Sequence, residues 1–146
     1  MAIIYETANF IVESHEKPEI DRLDWWHIKI SPKENFKDRF HLSPKLAIEL
    51  MRLTIIAWKA MIAWLWKNWI KIWRINFQDN WNWNPELHIH LYWRAIDAKY
   101  QKFWNPVIPW NKAEYNTLNE EDLKEIRIEI EKLFKKEKFK NSEWWL

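Results

Sequence analysis

Apolar and polar residues alternate in four short runs of the chain, a pattern typical of half-buried β-strands. The predicted strands are NFIVES at 9–14, HIKIS at 27–31, IKIWRINFQ at 70–78 and ELHIHLYWRA at 86–95. In the third run the apolar positions change phase at Trp73 and Arg74. A change of phase within a strand predicts a β-bulge at that point.

Two longer stretches carry apolar residues at helical spacing. The first begins with Ser43 as the predicted N-cap and Pro44 at the first helical position, and it continues to about Lys67. The second begins with a predicted capping box formed by Thr117 and Glu120. This order of elements predicts a single α+β domain over 1–146, with the helices on one face of an antiparallel sheet.

The last predicted strand places two histidines on the same face. Side chains alternate across a strand, so one face receives Leu87, Ile89 and Leu91 and the other receives Glu86, His88, His90 and Tyr92. The apolar set can pack on a helix. The sequence therefore predicts two imidazoles and a carboxylate side by side on the exposed face of the sheet.

Three interpretations of His88 and His90 fit this spacing. They can be surface residues without a role, or two zinc ligands with Glu86 or a distant histidine as the third. One imidazole can also act as a nucleophile, with the other contacting a phosphate or donating a proton, because the pKa of histidine lies near neutrality. The spacing by itself does not choose among them.

The charge and the cysteine count narrow the classes of partner. The net charge of +2 comes from 23 basic and 21 acidic residues along the chain, which argues against nucleic acid as the main ligand and leaves room for a small anion. Cysteine is absent, which excludes disulfides and thiolate chemistry and fits a reducing cytosol. The first residues do not resemble a secretion signal, and the longest apolar run is too short to cross a bilayer. We therefore expect a cytoplasmic protein with no membrane partner.

The chain has 14 tryptophans and no glycine, although glycine normally makes up about 7% of a protein. Many of the tryptophans stand beside Asn, Asp or Pro, where turns usually recruit glycine for positive φ. We hypothesise that most of them occupy sites shaped for glycine, through engineering or recoding. The alternative is a tryptophan-rich surface that stacks on sugars or bases. Backbone torsions discriminate between the two at Trp25, Trp69, Trp73, Trp81, Trp93 and Trp104.

The stretch ELHIHLYWR resembles the histidine-triad motif, His-φ-His-φ-His-φ-φ with φ apolar, of a family of nucleotide hydrolases and transferases. Glu86 stands in the first histidine position, His88 in the middle one and His90 in the third, and Arg94 follows. Two further stretches of the chain resemble other strands of the family.

WWHIKISPK resembles the family's Gly-His-φ-φ-φ-x-Pro strand, which places His27 in the pocket. IWRINFQDN resembles the strand whose end, at Gln78 and Asn80, lies near the nucleotide. The resemblance covers about 9–94, and the family prefers glycine where this chain has Trp26, Trp73 and Trp81.

The resemblance implies a five-stranded antiparallel sheet with two helices, paired as a homodimer. It implies that His88 attacks the α-phosphorus of a nucleoside phosphate ester, anhydride or phosphoramidate, purine nucleosides being expected, and forms a nucleotidyl-histidine intermediate. His90 would contact the phosphoryl oxygens and assist the leaving group, and a backbone carbonyl near residue 86 would hold the neutral His88 tautomer. No metal or cofactor is expected.

The resemblance also implies the nucleotide-binding residues, which are His27, Gln78, Asn80, Asn84 and Arg94. Amide donors of this kind can bind phosphate or ribose without a metal. The alternative is an inactive nucleotide-binding or scaffold protein of the same fold, since Glu86 replaces the first histidine and tryptophan precedes the motif. The two other histidines, His15 and His41, are predicted to be exposed and without function.

Overall fold

The computed structural model describes residues 2–16, 18, 21–22, 24, 27–79, 84–99, 102–107 and 115–140. The elements, in chain order, are β1 (Ile3–Glu6), β2 (Phe10–Ser14), β3 (His27–Pro32), α1 (Pro44–Lys67), β4 (Ile72–Asp79), β5 (Ile89–Ala95) and α2 (Glu120–Lys140), with one short 3₁₀ turn at Arg39–His41 before α1.

The five strands form one antiparallel sheet in the order β1-β2-β3-β5-β4. The predicted α+β fold, with five strands and two helices, is confirmed. β1 was not found in the apolar pattern, because its four residues, IIYE, are too few to show a period.

The register of β4 against β5 shifts between Ile72 and Arg74, which confirms the bulge predicted at Trp73 and Arg74. Two strand starts differ from the prediction. β4 begins at Ile72 instead of Ile70, and β5 begins at Ile89 instead of Glu86. The backbone before Ile89 therefore does not follow the alternation that placed Glu86 beside the histidines.

The start of α1 was predicted correctly, and the start of α2 was not. Ser43 accepts a hydrogen bond from the Leu46 backbone N–H, with Pro44 in the first turn. At α2, Asn119 Oδ1 accepts from the Asp122 N–H at 2.9 Å, and Asp122 Oδ2 accepts from the Asn119 N–H at 3.1 Å. These reciprocal bonds cap the helix, so the capping box lies two residues later than Thr117 and Glu120.

The core lies between the two helices and one face of the sheet. Its fully buried members include large side chains from α1 and from the central strands, each stabilising the fold by about 1.5–3 kcal/mol through burial. They are Phe10, Ile28, Ile30, Leu53, Ile56, Met61, Leu91 and Trp93. Neither helix has the combination of length and apolar character that a membrane span requires, within the described part of the chain.

Trp69 adopts the backbone conformation that glycine favours. Its φ is 58°, and it follows the end of α1. The Trp69 N–H donates to the Trp66 carbonyl at 3.2 Å and the Ile70 N–H donates to the Leu65 carbonyl at 3.1 Å. These bonds form a Schellman motif, in which the left-handed residue is usually glycine.

The other tryptophans give a mixed result. Trp73, Trp93 and Trp104 do not have positive φ, and Trp93 is fully buried, with its ring 5.7 Å from that of Trp64. Trp25 and Trp81 lie outside the described residues. The torsions therefore support a glycine-shaped site at Trp69 and give no such support at Trp93.

We expect Trp69→Gly to raise the free energy of unfolding by about 1 kcal/mol, because a left-handed backbone costs an L-residue roughly 1–2 kcal/mol and a 92% exposed side chain has little packing to lose. Trp66, 75% exposed in the last turn of α1, is the control. Trp66→Gly should lower the free energy by about 0.5–1 kcal/mol. Urea unfolding measures both, and equal destabilisation by the two changes would contradict this account of Trp69.

Candidate functional site

The histidines gather on the sheet face that points away from the helices. β3 and β5 are antiparallel neighbours, with His27 opposite Tyr92 and Lys29 opposite His90. Because Ile28 and the other alternate residues of both strands enter the core, these four side chains must point to the opposite face. The site is thus built by two adjacent strands.

Four imidazoles and one phenol ring form a continuous cluster on this face. The His88 and His90 ring centroids lie 4.8 Å apart with their planes nearly perpendicular at 80°. His90 stacks on Tyr92 with an interplanar angle of 6°. His15 stacks on His27 at 4.8 Å, so His15, which was predicted to be exposed, is instead half-buried in the cluster.

A backbone hydrogen bond fixes the orientation of His88. Its Nδ1 lies 2.6 Å from the carbonyl oxygen of Glu86. A carbonyl can only accept, so Nδ1 carries the hydrogen, and in the neutral form of the ring the lone pair lies on Nε2. A carbonyl near residue 86 was expected to hold this tautomer, and the carbonyl of Glu86 makes that contact.

His27 and His90 are joined directly, with His27 Nε2 2.5 Å from His90 Nδ1. Burial lowers the pKa of His90 to about 3, and the neighbouring His88, His15 and Lys29 contribute further. Burial, followed by the adjacent His90 and His15, also holds the pKa of His27 well below its usual value. Both rings are therefore neutral near pH 7, and one of them donates to the other.

Within the described part of the chain, His27 Nδ1 is buried and makes no hydrogen bond. A buried polar atom without a partner carries a desolvation cost of about 1–3 kcal/mol. The arrangement of His27 is therefore not explained by fold stability alone.

A charged pair extends the cluster across the sheet. Lys29 Nζ lies 2.8 Å from Glu13 Oε1, and each side chain is 13% exposed. Glu13 stands opposite Lys29 across β2 and β3. The sequence interpretation named neither residue, because only the register of three strands brings them to the histidines.

The prediction that His88 and His90 lie on an exposed face was wrong. They are only 6% and 5% exposed, because the rings pack against one another and against Tyr92. Arg94, farther along the same face, anchors the segment 102–107 there by donating to the carbonyls of Lys102 and Asn105. A cavity of about 800 Å³ lies between α1 and β4, and neither histidine lines it.

Only some of the predicted nucleotide-binding residues lie beside the histidine cluster. Gln78 stands directly opposite His90 across β4 and β5, so it joins the site. Asn84 Oδ1 instead accepts from the Glu86 N–H at 3.2 Å, which stabilises the turn before β5. Asn80 lies outside the described residues.

Arg94 and Glu86 are placed differently from the expectation. Arg94 is 3% exposed and bonds to backbone carbonyls, and burial lowers its pKa to about 10. The Glu86 side chain is exposed because Glu86 precedes the strand. Its carbonyl, and not its carboxylate, meets His88. His41 is exposed, as predicted, and it is bonded to Asp38.

Among the described residues, no group of three or more His, Asp or Glu side chains has an arrangement that could hold a metal ion. The imidazoles stack and bond to one another instead of converging on one point. The geometry is that of a cluster of hydrogen-bonding rings, of which His27 and His90 are neutral near pH 7.

No protein-family model and no curated protein matches the sequence. Solved structures do match. A histidine triad protein from Sinorhizobium meliloti has a TM-score of 0.65 and 18% identity over 90% of this chain and 87% of that one. A histidine triad protein from Marinobacter aquaeolei has a TM-score of 0.64 and 16% identity over 92% and 88%.

A hypothetical histidine triad nucleotide-binding protein from Sulfolobus tokodaii also matches, with a TM-score of 0.59 and 18% identity over 90% of this chain and 84% of that one. At these identities the likeness concerns the fold. The chain has the histidine-triad fold over nearly its whole length, as the motif around His88 and His90 predicted.

Proposed function

We propose that the protein is a nucleotidyl hydrolase or transferase that acts on nucleoside phosphate esters, anhydrides or phosphoramidates, with His88 as the nucleophile. The observation that carries the proposal is the hydrogen bond from His88 Nδ1 to the Glu86 carbonyl, which leaves Nε2 as a lone-pair donor. The nucleotide-binding neighbour of the same fold supports the class of substrate.

In the first step the Nε2 lone pair of His88 attacks the α-phosphorus, forming an N–P bond as the bond to the leaving group breaks. The leaving group accepts a hydrogen bond from Nε2–H of the neutral His90 and takes its proton from solvent water as it departs. This assignment requires His27 Nε2–H to donate to His90 Nδ1, consistent with their 2.5 Å contact. In the second step water attacks the phosphorus and releases its proton to solvent as the N–P bond to His88 breaks.

The surroundings favour an anionic substrate. The face around His88 and His90 carries the imidazole of His15, the amide of Gln78 and the Lys29 ammonium, all of which can donate hydrogen bonds. Donors held in place by a folded sheet stabilise charge that develops on phosphoryl oxygens without needing to reorganise. The Glu86 side chain is exposed, and the group of Glu86 that meets His88 is its carbonyl.

The second candidate is a binding protein of the same fold without turnover. The small exposure of His88 and His90 favours it, because in-line attack needs room at the reacting nitrogen. We propose the catalytic function first, because the His88 tautomer and the His27–His90 pair serve the chemistry and are not required by the fold.

We also propose a single domain, because all the strands and helices share one core. The absence of cysteine supports a cytoplasmic location.

We expect His88→Ala to lower hydrolysis of a nucleoside 5′-phosphoramidate at least about a thousandfold, since loss of a nucleophile removes the covalent route. Adenosine and guanosine phosphoramidates and a dinucleoside polyphosphate serve as substrates, and released product is measured by chromatography. Wild-type protein that is quenched with base during turnover should be heavier by the mass of one nucleotidyl group. The variant should show no such increase.

The control is His41→Ala, because His41 is exposed and outside the cluster. It should retain wild-type turnover and the mass increase. Binding of nucleotides without product by the wild type would contradict catalysis and favour the binding protein.

A homodimer is proposed on a separate observation. β4 is an edge strand, and apolar residues are exposed along it and along α1, which include Met51 at 51%, Trp73 at 62% and Phe77 at 48%. The cavity between α1 and β4 continues this apolar surface. An exposed apolar edge of this kind is a site of association. A second copy of the chain can cover the edge strand and the adjoining cavity, which together form one apolar groove.

We expect Met51→Glu to convert a dimer into a monomer at micromolar concentration, because a carboxylate would be buried unpaired in the interface. Ile128→Glu is the matched control, since Ile128 is 50% exposed on α2, away from the groove. Light scattering after size exclusion gives the masses. A monomeric wild type, or equal effects of the two changes, would contradict this interface.

A further inference from the structure

The Glu13–Lys29 pair lies in one row with the proposed catalytic histidines. Across the sheet, Glu13 stands opposite Lys29, Lys29 opposite His90, and His90 opposite Gln78. All four side chains occupy the face that carries the histidine cluster. From His90 the row extends in two directions. Towards β4 it has only Gln78, because β4 is the edge strand, and in the other direction it extends over β3 and β2.

The fold does not require this pair. Removing two charges from most of their water costs free energy that their attraction roughly offsets, so an apolar cross-strand pair would stabilise the sheet as well. The two head groups are nevertheless held side by side at 2.8 Å and remain partly accessible. They present an acceptor and a donor, adjacent to each other, towards the histidine face.

We propose that Glu13 and Lys29 read the nucleobase of the substrate and select guanine. The proposal rests on the proposed function, which places the α-phosphorus at His88. Neighbouring strands lie about 4.8 Å apart, so β2 is about 10 Å from β5 across the face. A nucleoside 5′-phosphate covers a span of this size between its phosphorus and the far edge of its base.

Guanine matches the pair better than adenine does. Its N1–H and N2–H donors can both bond to one carboxylate, here Glu13, while its O6 accepts from the adjacent ammonium of Lys29. Adenine offers one amino donor and one ring acceptor, which gives two bonds in place of three. A site built around buried hydrogen-bonding groups discriminates strongly against a ligand that leaves one of them unpaired.

The test is the ratio of the dissociation constants of GMP and AMP, measured by calorimetry on the full chain. For wild type we expect GMP to bind at least about tenfold more tightly. Inosine monophosphate, which lacks the 2-amino group, should bind with intermediate affinity. In Glu13→Gln the ratio should fall to about one through weaker GMP binding, because an amide cannot accept from both guanine donors.

Lys29→Gln is the second variant and should also reduce the ratio. Lys33→Met is the matched control, because Lys33 lies at the end of β3 in the exposed pair with Glu6; it should keep the wild-type ratio. A purely structural pair would change the urea midpoint in the variants and leave the ratio unchanged. Equal binding of GMP and AMP by wild type, or an unchanged ratio in Glu13→Gln, overturns this proposal and leaves the proposed function standing. Failure of wild type to bind any nucleotide overturns both.

Discussion

The hydrogen bond between His88 Nδ1 and the Glu86 carbonyl is the interaction on which the site depends. It joins the ring of the residue just before β5 to the backbone two residues earlier. Because the acceptor belongs to the main chain, the identity of the residue at position 86 does not change it. A glutamate can therefore stand where the histidine-triad motif begins with histidine, and the middle histidine keeps the same tautomer.

The sheet determines which other side chains lie beside His88. Because side chains alternate along each strand, Ile28, Ile30 and Leu91 face the helices. The side chains of His27, Lys29 and His90 therefore lie on the opposite face. Once there, the rings exclude water from one another, which keeps His27 and His90 neutral. Neutral imidazoles can act as a donor and an acceptor within one chain of hydrogen bonds, whereas two imidazolium rings in contact would repel each other.

Local sequence patterns predicted much of the fold and the centre of the site. The alternation in β5 was enough to pair His88 with His90, and the phase change in IKIWRINFQ located the bulge at Trp73. Residues that meet only through register were missed, because one sequence does not show which strands are neighbours. His15 and the Glu13–Lys29 pair belong to this group. The burial of the histidines was missed for a related reason, since rings from β3, from β5 and from His15 after β2 pack on one another.

Nitrogen-15 NMR of the histidine side chains tests the central claim most directly. Long-range correlation spectra at pH 7, with His88 assigned through the signal missing from His88→Ala, report which ring nitrogen carries the hydrogen. The account predicts hydrogen on Nδ1 and a bare Nε2 for His88, and neutral His27 and His90 rings that stay neutral when the pH is lowered to 5, since their pKa values lie below the usual one. A hydrogen on Nε2 of His88 would contradict it.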